Sequence, residues 1–476
     1  MTLAKQSPES RRRLALALAV FLLYMFYMTA EVNIYLYRSL RGTYYAWAVP
    51  VVVAGTLYFR RGKGGSEYRL LVCYWLWFLV SRALNHNLAL VDDDYLCFDL
   101  SLMIPFLALG LSLDARGRRR FLDWFSAAVG GYYFLIGAVA LYCFVARVQL
   151  VNPLTEWTFG MAKAAGFERV NIMGTNADST AYWFMSALML MLYQFFACRK
   201  KLWRIPIVLS ALVDFAVIAV TYTRSVRVAV AAVLALLAVL LLWRKLRGRK
   251  RALRAALLVL VFLAAAPLVY KGFELCADSL SALSETLRAP AAAQSEAAPL
   301  AYFAASGETA AAPLAAAQAG EAGGLYERLN ELSSKRLEIY RCAFLTIREH
   351  PSILLRGCLS KDSMGVTNAI LQRKNIVPHF HNFLLQTLIL TGLPGLALVL
   401  AFCVLTAVKA LRLLFARDER VGMDARALSL IVFAPPVYCL FEACLFTDID
   451  VRPLFFFVVC GMLLGTYCDL YPKGKE

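Results

Sequence analysis

The stretch FLLQTLILTGLPGLALVLAFCVLTAVKALRL, residues 383–413, carries no charge before Lys409 and follows directly on PHFHN, residues 378–382. It is longer than the roughly 20 residues that a helix needs to cross a ~30 Å hydrocarbon core. Thr391-Gly-Leu-Pro-Gly395 supplies a break. Proline has no N–H for an uninterrupted helix, and glycine accepts backbone angles that other residues avoid. The segment therefore reads as a short helix leading into a full crossing. At its head stand two of the four histidines, His379 and His381, where a polar stretch meets the apolar run. An imidazole with its ordinary pKa of about 6.5 can accept a proton at neutral pH. The plain alternative is a pair of interfacial histidines capping a helix.

Working outward, the same apolar character recurs along the chain. Hydrophobic residues make up 61%, charged residues 17%, and the mean hydropathy is +0.61. That composition belongs to a membrane protein. About twelve candidate spans fit the bilayer length, at 14–30, 43–59, 70–88, 95–113, 122–146, 179–198, 204–222, 226–243, 254–270, 383–413, 427–446 and 453–468. The third is interrupted by Arg82, Asn85, His86 and Asn87. The expected fold class is an all-α polytopic membrane protein of about 12 transmembrane helices with one large extracytoplasmic loop.

A net charge of +18 raises the question of nucleic acid, and its distribution excludes it. Arg11–Arg13, Arg60, Arg61, Arg118–Arg120, Arg199–Lys201, Arg244–Arg254, Arg417–Arg426, Lys473 and Lys475 fall in every second connection. The alternate connections carry acidic stretches such as Asp92–Asp94 and Asp448/Asp450. This is the positive-inside pattern, and it places both termini in the cytoplasm of a multi-pass plasma-membrane protein. The first apolar run follows three arginines, and its length and the spans behind it favour a retained anchor over a cleaved signal. Twelve cysteines are scattered singly without ligand spacing, so they read as small apolar packing residues. Among Cys276, Cys342 and Cys358 of the large loop, one disulfide is left open.

Three parts follow: an N-terminal bundle over 1–270 with about nine spans, the extracytoplasmic loop over 271–380, and a C-terminal bundle over 381–476 with about three spans. Within the loop, 289–324 is Ala-rich and of low complexity. Residues 333–350 are expected to form a helix, with Ser333 or Ser334 as N-cap, Pro351 after its end, and Leu337, Tyr340, Phe344 and Ile347 on its apolar face. The shorter outer connection, Arg147 to Asp178, reads as interfacial loop with a short helix. No internal repeat of the transporter kind is apparent.

Two arginine-bearing segments invite chemistry. TYTRSVR, Thr221 to Arg227, opens the eighth span. Arg224 and Arg227 either snorkel to headgroups or offer a planar guanidinium fork to a diphosphate. Arg336 sits in the loop helix, where the plain reading is a solvated residue. Of the two histidines, only one can face a given substrate from a helix, because residues two apart diverge by about 200°.

Together these segments resemble the O-antigen ligase/polymerase family, over roughly Thr221 to Leu396. HFHN, eight residues and then TGLPGL is similar to the signature ending that family's large outer loop. TYTR is similar to its T-x-(S/T)-R element, and SSKRLEIYRCAFLTIREHPSILLRG to its R-(x)3-(W/Y)…HP…G segment, with a longer spacer between Pro351 and Gly357. The family's histidine immediately precedes Asn, which selects His381 as the catalytic base. Arg224 and Arg336 become donor diphosphate ligands, and Tyr340 takes the aromatic position. His379, Asn382 and Arg227 are supporting, as is Asn176, from NIMGTNADSTAYW. The resemblance implies a GT-C-like glycosyltransferase that needs no cofactor and no metal. Its donor would be a glycan on a polyprenyl (undecaprenyl) diphosphate, and its acceptor a lipid, glycan or protein hydroxyl, all amid membrane lipids. An inverting ligase of cell-surface polysaccharide synthesis ranks nearly level with a repeat-unit polymerase, and a protein O-oligosaccharyltransferase is a third reading. A transporter or flippase is the rival of another class, with Asp214 and Glu442 as its few intramembrane charges.

Overall fold

A computed structural model of the chain describes residues 65–85, 94–151, 158–164, 167–172, 177–246, 251–294, 336–358, 380–443, 445–446 and 452–472. The expected spans at 14–30 and 43–59, Asn176, His379 and the segment 295–335 lie outside the described residues.

The chain is predominantly helical. Its elements are α1 (Ser66–Leu84), α2 (Asp94–Ser112), α3 (Ala115–Ala146), β1 (Gln149–Val151), β2 (Thr158–Ala164), β3 (Phe167–Asn171), α4 (Ala177–Ala197), α5 (Arg204–Val220), α6 (Arg224–Lys245) and α7 (Arg251–Gln294). After them come α8 (Arg336–Glu349), α9 (Ile353–Arg356), α10 (Phe383–Leu414), α11 (Met423–Ile431), α12 (Ala434–Cys439) and α13 (Arg452–Leu470). Among the described residues, six helices are long and apolar enough to cross a membrane. This is a multi-pass membrane protein.

Four features differ from the sequence reading. The Arg147–Asp178 connection holds a three-stranded antiparallel sheet, in order β1-β2-β3, where a loop with a short helix was expected. Val170 and Ile172 are buried under it, so burial of β3 overrides the local helical signal. Helix α7 does not stop at residue 270 but continues to Gln294. The expected span 427–446 is two short helices, because Pro435 and Pro436 at the start of α12 lack the N–H groups that would join it to α11. The buried face of α8 is Ile339, Cys342, Ala343, Thr346 and Ile347, while Phe344 is 60% exposed. Small Ala343 lets this face approach Phe380, Leu385 and Ile389 closely, forming a satellite core beside the main bundle. Cys276, Cys342 and Cys358 carry free thiols.

Two sequence choices set the frame around α10. At its end, Arg426 donates to the carbonyls of Leu414 and Ala416, both at 2.8 Å, a cation placed on a helix C-terminus. At its kink, Gly392 leaves the helical conformation with φ +70°, and Pro394 has no N–H for the Leu390 carbonyl. The freed carbonyls find other donors. Cys358 N donates to Ile389 O at 2.7 Å, Trp77 Nε1 to Thr391 O at 2.7 Å, and Ser81 Oγ to Leu390 O at 3.3 Å. Gly357, with φ +73°, seats α9 into the kink, where a Cβ would overlap the Leu390 carbonyl. A Cβ on Gly392 would come within 2.8 Å of Leu355 O. Gly357→Ala or Gly392→Ala should therefore each destabilise by at least about 2 kcal/mol, from the left-handed backbone and the overlap together. Thermal unfolding in detergent checks this. A melting temperature equal to that of the parent chain would show that the kink is not locked by backbone contact.

Candidate active site

The first turn of α10 holds the site together. Asn382 is its N-cap, with an extended backbone and Oδ1 accepting from Leu384 N and Leu385 N, each at 3.0 Å. Its Nδ2 donates to Leu440 O at 3.0 Å, tying the helix start to the turn after α12. The side-chain amide of Asn382 is thus engaged in protein contacts. His381 precedes the cap with φ +51°, a left-handed conformation uncommon outside glycine, in which His is among the enriched residues. The Tyr340 hydroxyl donates to the His381 carbonyl at 3.1 Å. Burial pushes the Tyr340 phenol up, and the nearby Arg336 guanidinium offsets this only in part, so the phenol keeps its proton.

Glu442, two residues beyond Leu440, completes the arrangement. Its Oε1 accepts from Arg336 Nη2 at 2.9 Å, and its Oε2 lies 3.2 Å from His381 Nδ1. The carboxylate side chain is 6% exposed, those of Arg336 and His381 23% and 26%. Both oxygens of this buried carboxylate are thus engaged, as burial of such a group requires. In the tautomer whose Nδ1–H donates to Glu442, the imidazole presents Nε2 as a proton acceptor. One carboxylate therefore contacts both a guanidinium and an imidazole. Chemically, the group can deprotonate a hydroxyl beside a partly exposed cation.

Arg224 is elsewhere in the fold. It is the first residue of α6, exposed, following Thr223, whose hydroxyl reaches Asp178 Oδ1 at 3.0 Å and Ala177 O at 3.3 Å. It lines a cleft of about 330 Å³ with Arg169, Tyr222, Arg227, Tyr270, Glu274, Ala277 and Asp278. Arg336 and His381 are not among its lining residues. So the structure joins Arg336, Tyr340, His381 and Asn382 around one carboxylate, and Arg224 and Arg227 in another cleft. Asn176 and His379 lie outside the described residues.

Sequence reading did not assign Glu442 or Arg169 to a site. A lone acidic residue in the apolar run FEACLF, residues 441–446, was the available signal for Glu442. For Arg169 it was the alternation FERVN in β3, residues 167–171.

A family model described as O-antigen ligase matches residues 209–400. The chain carries an O-antigen ligase family domain. No curated protein matches the sequence. The matched segment contains Arg224, Arg336, Tyr340, His381 and Asn382, whereas Arg169 precedes it and Glu442 follows it. A match of this kind in a multi-pass membrane protein supports a part in glycan transfer in cell-surface polysaccharide synthesis.

Proposed function

We propose that this O-antigen ligase family chain transfers a glycan from a polyprenyl diphosphate to an acceptor hydroxyl at the outer face of the plasma membrane. The observation that carries this reading is the shared carboxylate of Glu442, with Arg336 at 2.9 Å and His381 at 3.2 Å. His381 Nε2 takes the proton of the acceptor hydroxyl, whose oxygen bonds to the anomeric carbon. The bond from that carbon to the diphosphate oxygen breaks, and the electron pair leaves with the diphosphate. Arg224 and Arg336 neutralise the charge that builds there, which requires the cleft lined by Arg224 to meet the Arg336–Glu442–His381 group when the donor is bound. A single displacement inverts the anomeric configuration. Charge stabilisation comes from guanidinium groups, so the step is written without a metal. The GT-C-like arrangement of about twelve spans, with cytoplasmic termini, is part of the same reading.

A ligase and a repeat-unit polymerase share all of this chemistry and differ in the acceptor. The pairing of Glu442 with Arg336 and His381 supports a chemical site over a transport path, since it occupies one of the two charges that a transporter would use. Purified protein in detergent, offered a polyprenyl-diphosphate glycan with lipid, glycan and peptide acceptors, tests the reading directly. No transfer to any of the three would sink it.

Two further outcomes are expected. Arg224→Lys and Arg336→Lys keep charge but lose the planar fork, so transfer should fall at least about tenfold in each, with Arg227→Lys milder. Full activity in the first two would remove them from the donor site. Cysteine labelling should place residues 310 and 249 on opposite sides of the membrane. Labelling from the same side would reverse the orientation and move His381 away from an outer active site.

A further inference from the structure

The cleft at the start of α6 contains more cationic chemistry than the family motif accounts for. Arg169 comes from β3, Arg224 and Arg227 from the first turn of α6, and Glu274 and Asp278 from α7. Arg227 is 5% exposed, and its ring-facing guanidinium lies 5.2 Å from the centre of Tyr222. It donates through Nη2 to the Ala219 carbonyl. Its Nε is buried and has no hydrogen-bond partner among the described residues, and the same holds for Nε of Arg169. Buried cationic donors left unsatisfied are costly, and two of them line one cleft. Charge balance agrees in sign. Three arginines line the cleft against Glu274 and Asp278, and Glu274 is bridged at 2.7 Å to Lys271 outside the lining, so the cleft is net positive and suits an anion.

The β-sheet explains how Arg169 arrives. Antiparallel pairing sets Arg169 opposite Ala162, and buried Val170 anchors the strand beside it. We infer that Arg169 and Arg227 complete, with Arg224, a three-arginine site for the diphosphate of the lipid-linked donor, Arg169 being a binding residue contributed from outside the matched segment. This rests on the proposed donor, but the anion site itself stands on the cleft. Planar guanidinium groups converging from two segments suit the adjacent phosphates of a diphosphate better than a single phosphate.

The test uses the full chain in detergent and inorganic pyrophosphate as probe, measured by calorimetry, with inorganic phosphate and phosphatidylglycerol micelles as competitors. Pyrophosphate should bind, and Arg169→Gln should weaken it about tenfold or more, whereas a change at His381 should not. Arg169→Gln should also raise the donor KM more than it lowers kcat. Binding unchanged in Arg169→Gln, or no pyrophosphate binding by the parent chain, overturns the inference. Displacement by phosphatidylglycerol as effective as by pyrophosphate also overturns it, by making the cleft a phospholipid headgroup site. If Arg169→Gln does not fold, protection of Arg169 in the parent chain against phenylglyoxal by pyrophosphate decides, and no protection overturns it. Arg169-dependent pyrophosphate binding in a chain that transfers no glycan keeps the site and sinks only the transferase reading.

Discussion

Glu442→Gln should yield a folded protein that binds donor and loses transfer by about 10²–10⁴-fold. An amide can still accept a hydrogen bond from Arg336 through its oxygen, so the tether to α8 survives in part. What it cannot do is favour the tautomer with Nδ1–H, because the amide nitrogen can present a donor to the ring and turn Nε2 into a donor as well. The loss should therefore appear in kcat, with the donor KM changed little. Glu442→Ala is the harsher variant. It leaves Arg336 without its 2.9 Å partner, and removing one side of a buried ion pair costs up to about 3–5 kcal/mol, less here because Arg336 is partly exposed. Wild-type kcat in Glu442→Gln would reduce the carboxylate to a structural bridge between the loop helix and the bundle.

The residues themselves explain which parts of this site were legible. The histidine pair at the edge of the apolar run was readable locally, the choice of His381 came from the resemblance, and Asn382 followed by an apolar run is a local cap signal. Gly392 and Pro394 announced the kink in the same way, since proline and glycine act through their own backbones. Arg336 was readable by type and by resemblance, but its partner was not. Glu442 lies 106 positions away, and no local pattern encodes a pairing that depends on how α8 and the turn after α12 meet. The apolar face of α8 was misread for a related reason. Tyr340 and Ile347 do pack on the satellite core, but Phe344 is bulkier than Cys342 and Ala343, and close approach to α10 selects the smaller side chains. In the 147–178 connection, strands as short as β1 and β3 give a periodic signal too brief to compete with an Ala-containing run that also suits a helix.

His381 is where the largest loss is expected, and its backbone dictates how to measure it. At φ +51° an alanine carries a penalty of roughly 1–2 kcal/mol that histidine and asparagine bear more easily. His381→Ala would thus mix loss of the base with strain at the head of α10, against the hydrogen bond from Tyr340. His381→Asn keeps the left-handed turn and removes the imidazole, so it isolates the chemical contribution. It should melt near the parent chain, retain pyrophosphate binding, and lose transfer by about 10²–10⁴-fold. His379→Ala, by contrast, should keep a substantial fraction of the rate. If His379→Ala is the inactive variant, or if His381→Asn transfers at the parent rate, the base is not His381, and the Glu442 bridge orients a ring that takes no proton.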